Sequence, residues 1–252
     1  MLPTESQTNP STGPVWLITG GSKGIGLATA RRVIEQGERV AILARGDDVH
    51  TRAAELGAQC MACQADVSDA AAVTAAVESV VAQWGRVDRI VNNAGLHRGG
   101  KIARLKTEDW DAVLAVNLSG ALGVIRAAEP HLSEASAIIN VGAVVGFRGF
   151  PGDAAYAASK AGLAGLTRSL AIELAPRGIT VNLVIPGLVL TEMTGGVSEK
   201  ALERMRQTIP LGRYGEAKDI AQVIDWVGRS RYMTGAFVPV DGGLLSSFGV
   251  LG

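Results

Sequence analysis

Cysteine is nearly absent. Cys60 and Cys63 are the only two in 252 residues, so a disulfide-stapled fold is excluded. Their C-x-x-C spacing could mark a redox pair or half a zinc site. Zinc needs further ligands, and His50, His97 and His131 are scattered along the chain. The pair falls in the strand-like stretch Gln59–Gln64, where positions i and i+3 point to opposite faces. Two small buried hydrophobes are therefore expected, and no metal site. An excess of charge is missing too. Lys+Arg and Asp+Glu number 24 each, which leaves no basic surplus of the kind that carries nucleic-acid binding. No run of about 18 apolar residues stands out, so no membrane span is expected. Residues 1–13 lack the basic start and apolar stretch of a signal peptide, and a cytoplasmic location is the default expectation.

What the chain has is apolar content and glycine. Apolar residues make up 47% against 19% charged, so a packed core rather than disorder is expected. Glycine, at 32 residues, is nearly twice the usual ~7% and follows no collagen period, which points to tight turns and close backbone approaches. Short apolar runs recur at Val15–Thr19, Arg39–Ala44, Gln59–Gln64, Val87–Asn92, Ala137–Val141, Thr180–Ile185 and Ala236–Val240. Between them lie helix-period stretches, such as the stripe Leu27, Ala30, Val33 and Ile34 closed by Gly37. Long helices are expected over 107–130 and 154–175. Seven buried strands with helical crossovers predict an α/β fold: a single-domain, seven-stranded parallel sheet with helices on both faces. Residues 1–13 read as a loose tail and 14–252 as one domain.

The first strand runs into Thr19-Gly20-Gly21-Ser22-Lys23-Gly24-Ile25-Gly26, and a helix follows directly. At that junction backbone N–H groups and the helix dipole can face a dinucleotide pyrophosphate. The T-G-x-x-x-G-x-G spacing resembles the short-chain dehydrogenase/reductase family, in particular its 3-oxoacyl-(acyl carrier protein) reductases and related ketone reductases. Further segments match in order. Asp66-Val67 resembles the pair that contacts adenine. Asn92-Asn93-Ala94-Gly95 resembles the signature that shapes the cofactor cleft. Asn117 resembles the helix asparagine of the catalytic tetrad, and Tyr156-Ala157-Ala158-Ser159-Lys160 the Y-x-x-x-K pair. Pro186-Gly187, Val189 and Thr191 resemble the segment along the nicotinamide. The likeness runs from Val15 to Gly243 and implies a Rossmann fold with strand order 3-2-1-4-5-6-7.

Arg45 ends the second strand, where an acidic residue would accept the adenosine ribose hydroxyls and select NAD. Its planar fork suits a phosphate instead, and Lys23 in the glycine loop adds a second cation. NADP(H) is the expected cofactor, with Asp47 and Asp48 as solvated loop carboxylates. The resemblance assigns Tyr156 as general acid in carbonyl reduction. It assigns Lys160 to tuning that phenol and holding the nicotinamide ribose, and Asn117 to anchoring a relay water. A lysine ammonium beside Tyr156 is expected to lower its pKa.

One position departs from the family pattern. Its members carry a serine at the end of the fifth strand, hydrogen-bonded to the substrate carbonyl. Counting back thirteen residues from Tyr156 reaches Ala143, which has no donor. Loss of one oxyanion donor costs roughly 3–4 kcal/mol, so Ala143→Ser is expected to raise kcat by about two orders of magnitude. The alanine is either an introduced replacement or belongs to a natural member that uses another donor or has lost catalysis. The intact remainder of the site favours the first. A non-catalytic dinucleotide-binding protein on the same fold is the rival reading.

The substrate pocket is expected between loops 96–105, 144–155 and 187–200. Ala143, Val145 and Phe150 are substrate-facing candidates, and Gly195-Gly196 is a candidate lid hinge. An apolar pocket with a polar end suits a small-molecule ketone or acyl thioester. Arg177 is a candidate docking residue for a carrier protein, although the loop Glu129–Ser136 has no Lys or Arg. The resemblance implies a homotetramer. Leu163, Leu166 and Leu170 are interface candidates that could equally be core, and the apolar C-terminus after Leu244 is a further candidate.

Overall fold

Runs of apolar, mostly β-branched side chains become strands here because both of their faces are covered. The computed structural model describes residues 13–190 and 198–247. The strands are β1 (Val15–Thr19), β2 (Arg39–Ala44), β3 (Cys60–Gln64), β4 (Arg89–Asn92), β5 (Ala137–Val141), β6 (Thr180–Pro186) and β7 (Phe237–Val240). They form one parallel sheet in the order β3-β2-β1-β4-β5-β6-β7. Successive residues of β1 alternate between the two layers. Val15 and Leu17 pack with α3 (Ala70–Trp84), α5 (Gly120–Ala128) and α7 (Ala154–Leu174). Trp16 and Ile18 pack with α1 (Gly24–Glu35), α2 (Asp48–Leu56) and α9 (Ala217–Arg229). The remaining helices are α4 (Thr107–Leu114), the short α6 (Val145–Arg148) and α8 (Glu199–Gln207).

Cys63 joins the first layer and Cys60 packs against the second, as two residues three apart on a strand must. Both are free thiols, and burial pushes Cys60 up to about 12, so it carries no reactive thiolate.

The helix expected over 107–130 is found as one continuous run, Thr107–His131, in which α4 and α5 are joined by a π-helical turn at Ala115–Ser119. Among the described residues, Thr107–His131 is long and apolar enough to cross a bilayer by length and composition alone, and it packs on the sheet and on α7. Leu163 is fully buried and is a core residue, while Leu166 and Leu170 are partly buried and pack against the core. The outward-facing large apolar residue of α7 is Ile172. Leu244 is buried, and Leu245 packs on the cluster that contains it. Residues 1–12, the rest of the apolar C-terminus from Phe248, Thr191, and the Gly195-Gly196 hinge lie outside the described residues.

Candidate active site

The order of strands reverses between β1 and β4, and the crevice of a doubly wound sheet opens there, beyond the strand ends. Thr19, the last residue of β1, ties this edge together. Its Oγ1 accepts from the N–H groups of Asn93 and Ala94, each at 3.0 Å. Asn93 Nδ2 returns hydrogen bonds to the carbonyls of Thr19 and Gly20. The glycine loop fits against this floor only without side chains. A Cβ on Gly26 would fall 2.3 Å from the Gly20 carbonyl oxygen, and one on Gly20 would fall 2.9 Å from Asn93 Nδ2. Gly20 and Gly24 have φ of +63° and +51°, in the left-handed region. The N-cap of α1, Lys23, makes no side-chain cap hydrogen bond, and no acidic residue occupies the first turn. A glycine cradle leading to a helix start without a side-chain cap fits a pyrophosphate. Ser22 is buried beside it, and Ile25 packs into the α1–α2–α9 layer.

The end of the crevice where the sequence resemblance expects adenosine is lined by ion pairs. Arg45 Nη1 lies 3.7 Å from Asp66 Oδ2, and Lys23 Nζ lies 3.9 Å from Asp48 Oδ2. Asp48 is partly exposed and turns its Oδ2 toward Lys23. That oxygen is shielded from water and accepts no hydrogen bond. Hydrogen bonds from the Ser68 hydroxyl and backbone, with help from Arg45, hold the Asp66 carboxyl below its ordinary range. Val67 is buried against Gly120 of α5, where a Cβ would fall 2.9 Å from Val67 Cγ2. In the segment expected to lie along the nicotinamide, Gly187 donates to the Val240 carbonyl at 3.0 Å, and Val189 bridges to Gly215. The Pro186 carbonyl accepts from the Val144 N–H at 3.1 Å.

The catalytic candidates meet at the carboxyl edge of β4 and β5. Asn117 lies in the π-helical turn, and its side chain clamps the loop after β4. Its Oδ1 accepts from Leu96 N–H at 2.7 Å, while Nδ2 donates to the Leu96 carbonyl and to Ser159 Oγ, each at 3.0 Å. Ser159 in turn donates to the Tyr156 carbonyl at 2.7 Å. Asn117 thus connects the cleft loop with α7 directly, and every polar atom of its side chain is used within the protein. Lys160 is buried, its Nζ donates to the Val141 carbonyl at 2.8 Å, and it stands 5.6 Å from the Tyr156 ring centre.

Burial governs both titrations. It drives Lys160 down to about 8, while burial and the Asp153 carboxylate push Tyr156 up to about 12. The expected lowering of the Tyr156 pKa by its lysine is corrected here, since desolvation of the phenolate and the Asp153 carboxylate both push it up.

Ala143 sits between the end of β5 and α6, next to Gly142, which donates to the Val184 carbonyl. Val145 packs in a cluster with Leu163, Leu183 and Ile185, while Phe150 stands half exposed. Phe147 turns its ring edge to Phe237 at 5.8 Å. Arg177 is held by Glu129 and by the carbonyl of Leu132, so the docking residue read from the sequence is engaged within its own chain.

Three features escaped the sequence reading. Ser159 is a buried link between Asn117 and Tyr156. Asn92, Asn140 and Thr167 form a buried hydrogen-bonded ladder across β4, β5 and α7. His97 meets both Asp153 and Tyr156. A histidine two positions beyond the N-N-A-G segment was the only hint of the last.

The family profile described as enoyl-(acyl carrier protein) reductase matches residues 20–245. A 3-oxoacyl-(acyl-carrier-protein) reductase of Staphylococcus aureus is 41% identical over 237 residues, covering 90% of this chain and 96% of that protein. Carbonyl reductase family member 4 of Danio rerio is 42% identical over 231 residues, covering 90% and 96%. Among solved structures, a short-chain dehydrogenase/reductase of Serratia marcescens superposes with a TM-score of 0.88 at 36% identity, covering 94% of this chain and all of that one. A blue fluorescent protein from a metagenomic library, solved with NADPH, superposes equally well (0.88) at 35% identity, covering 94% and 99%.

Proposed function

The chain belongs to the short-chain dehydrogenase/reductase family, and from that premise we propose that it reduces a ketone, or a 3-oxoacyl thioester, to a secondary alcohol with NADPH. The observation that carries this reading is the placement of Tyr156 and Lys160. They lie one helical turn apart on α7, with the ammonium anchored on the last carbonyl of β5. A phenol held near 12 is fully protonated at neutral pH and ready to donate. When bound, the reduced cofactor supplies a hydride to the carbonyl carbon. Tyr156 gives its proton to the carbonyl oxygen, and Lys160 offsets the charge left on the phenolate. Asn117 and Ser159 hold the cleft loop and α7 in the register that this transfer needs.

The glycine cradle, with Asp66, Val67, Asn93, Ala94, Gly95, Pro186, Gly187 and Val189, would hold the dinucleotide, and Thr191 is proposed beside its nicotinamide end. Arg45 supports a 2′-phosphate, as does the NADPH found in one structural neighbour. The relatives' names point to acyl thioesters or simple carbonyls, and the internal engagement of Arg177 favours a free ketone or small thioester over a carrier protein. Val145 and Phe150 are proposed to line the substrate pocket. The protein is proposed to work as a cytoplasmic homotetramer, with Gly13 already inside the catalytic domain, its carbonyl accepting from Arg39. Ala143 favours a second reading, a dinucleotide-binding protein without catalysis.

The two readings separate by NADPH oxidation with a panel of activated ketones. Tyr156→Phe is expected to lower kcat at least about 10²-fold while NADPH binding persists. Turnover equal in the two chains would defeat the reductase reading.

A further inference from the structure

His97 lies on the loop after β4, and Asp153 immediately precedes α7. His97 Nε2 is 2.9 Å from Asp153 Oδ1, and its ring meets the Tyr156 ring edge-on, with centroids 5.2 Å apart at 77°. The two loops are joined a second time, by the Gly100 N–H donating to the Gly152 carbonyl at 2.8 Å. Gly99 leaves the room: a Cβ there would lie 3.3 Å from His97 Cε1 and 3.4 Å from Asp153 Oδ1.

A carboxylate only accepts, so the proton of this contact sits on Nε2. The other ring nitrogen, Nδ1, then donates only when the imidazole carries its second proton. The Asp153 hydrogen bond raises the His97 pKa and so extends the range in which that proton is held. The groups facing His97 are Asp153 and Tyr156. Arg98, its neighbour, is turned to Asp109 at 2.9 Å, and Lys160 is turned to the Val141 carbonyl. An oriented donor beside the proton-giving phenol is the group that the chain lacks at Ala143.

We propose that His97, clamped by Asp153, donates a hydrogen bond to the developing substrate oxyanion in place of the missing hydroxyl at position 143. The inference deepens the reductase reading and rests on it. Tyr156 still delivers the proton that ends on the alcohol. His97 keeps both of its protons and contributes a charge-assisted hydrogen bond.

The test is a four-chain cycle of the unaltered protein, His97→Ala, Ala143→Ser and the double variant. NADPH binding and thermal melting serve as checks of folding. If either hydroxyl or imidazolium suffices, Ala143→Ser alone gains less than about 5-fold in kcat/KM. His97→Ala alone loses on the order of 10², and Ala143→Ser then recovers most of that loss in the His97→Ala chain. The pH profile adds a second readout. With Ala143, the rate falls as pH rises through the His97 ionisation, which proton NMR of the three histidines locates. In the Ala143→Ser chain that fall disappears, while the Lys160 ionisation near 8 is common to all four chains.

A gain of about 10² from Ala143→Ser in the chain that still has His97 would overturn the proposal, even if His97→Ala fails to fold. So would equal gains with and without His97. No turnover in any chain, Ala143→Ser included, would overturn the reductase reading together with this one.

Discussion

Burial drives Tyr156 and Lys160 toward their neutral forms, the phenol to about 12 and the ammonium to about 8. For the phenol that is the proton-bearing form its role needs, whereas for Lys160 burial works against the ammonium, so small changes in neighbouring charge matter. Arg45 shows the same sensitivity at the adenosine end. Its guanidinium is exposed and pairs with Asp66 at 3.7 Å, too far for a hydrogen bond, so the pair yields readily to a phosphate. Arg45→Asp is expected to weaken NADPH binding roughly 10–100-fold relative to NADH, from the ~1.5–3 kcal/mol of a hydrogen bond between charged partners. Fluorescence titration of both cofactors measures this, and an unchanged ratio would remove Arg45 from cofactor selection. Tyr156, Lys160 and the glycine loop were legible in the sequence because each motif is local. The direction of the Tyr156 pKa shift was not, because it depends on how much of the surrounding fold excludes water. His97 and Asp153 are 56 residues apart, and no periodicity announces their contact.

At the scale of elements, α9 is fastened to α1 and β1 by a buried charge network. Asp225 accepts from Arg32 at 2.8 Å, Gln36 at 2.8 Å and Arg229 at 2.6 Å. Arg229 reaches on to Glu38, which also accepts from the indole N–H of Trp16 at 2.6 Å. Burial alone would raise the Asp225 pKa, but these hydrogen bonds and cations outweigh it and lower the pKa. A carboxyl lowered in the fold stabilises above its unfolded pKa of ~3.9, and that stability is lost as pH falls through the folded value. Asp225→Ala is expected to cost about 2 kcal/mol, between the limits for exposed and buried pairs, since Arg32 and Arg229 keep part of their hydration. Urea unfolding at pH 7 measures it, and the deficit should shrink in acid. The central strands were legible as elements because each is short and buried on both faces. The π-helical turn at Ala115–Ser119 was not, since one extra residue per turn barely disturbs an apolar period. Asn117 was found by motif, and its grip on Leu96 only by structure.

For the whole molecule, two glycines remain without a role inside the subunit. Gly123 in α5 and Gly165 in α7 have no heavy atom within 4 Å of the position a Cβ would take. By contrast, Gly162 on the same helix would place a Cβ 2.7 Å from Leu118 Cδ2. Helix-interior glycine costs roughly 0.5–1 kcal/mol relative to alanine, so nothing within the subunit offsets its presence at 123 and 165. A second copy whose helices approach closely would offset it, and Ile172, 79% exposed two turns beyond Gly165, would be covered by the same contact. We propose the exposed face of α7, with Gly165 and Ile172, as the face a second copy would cover, a face distinct from the buried Leu163. Light scattering of the unaltered chain is expected to give a tetramer whose mass does not change with concentration. Gly165→Lys should reduce that mass while leaving NADPH binding by each subunit in place, since the glycine cradle lies on the opposite layer of the sheet. A monomer in the unaltered chain, or an undiminished tetramer in Gly165→Lys, would free this face from the assembly and leave both open glycines without a physical reason.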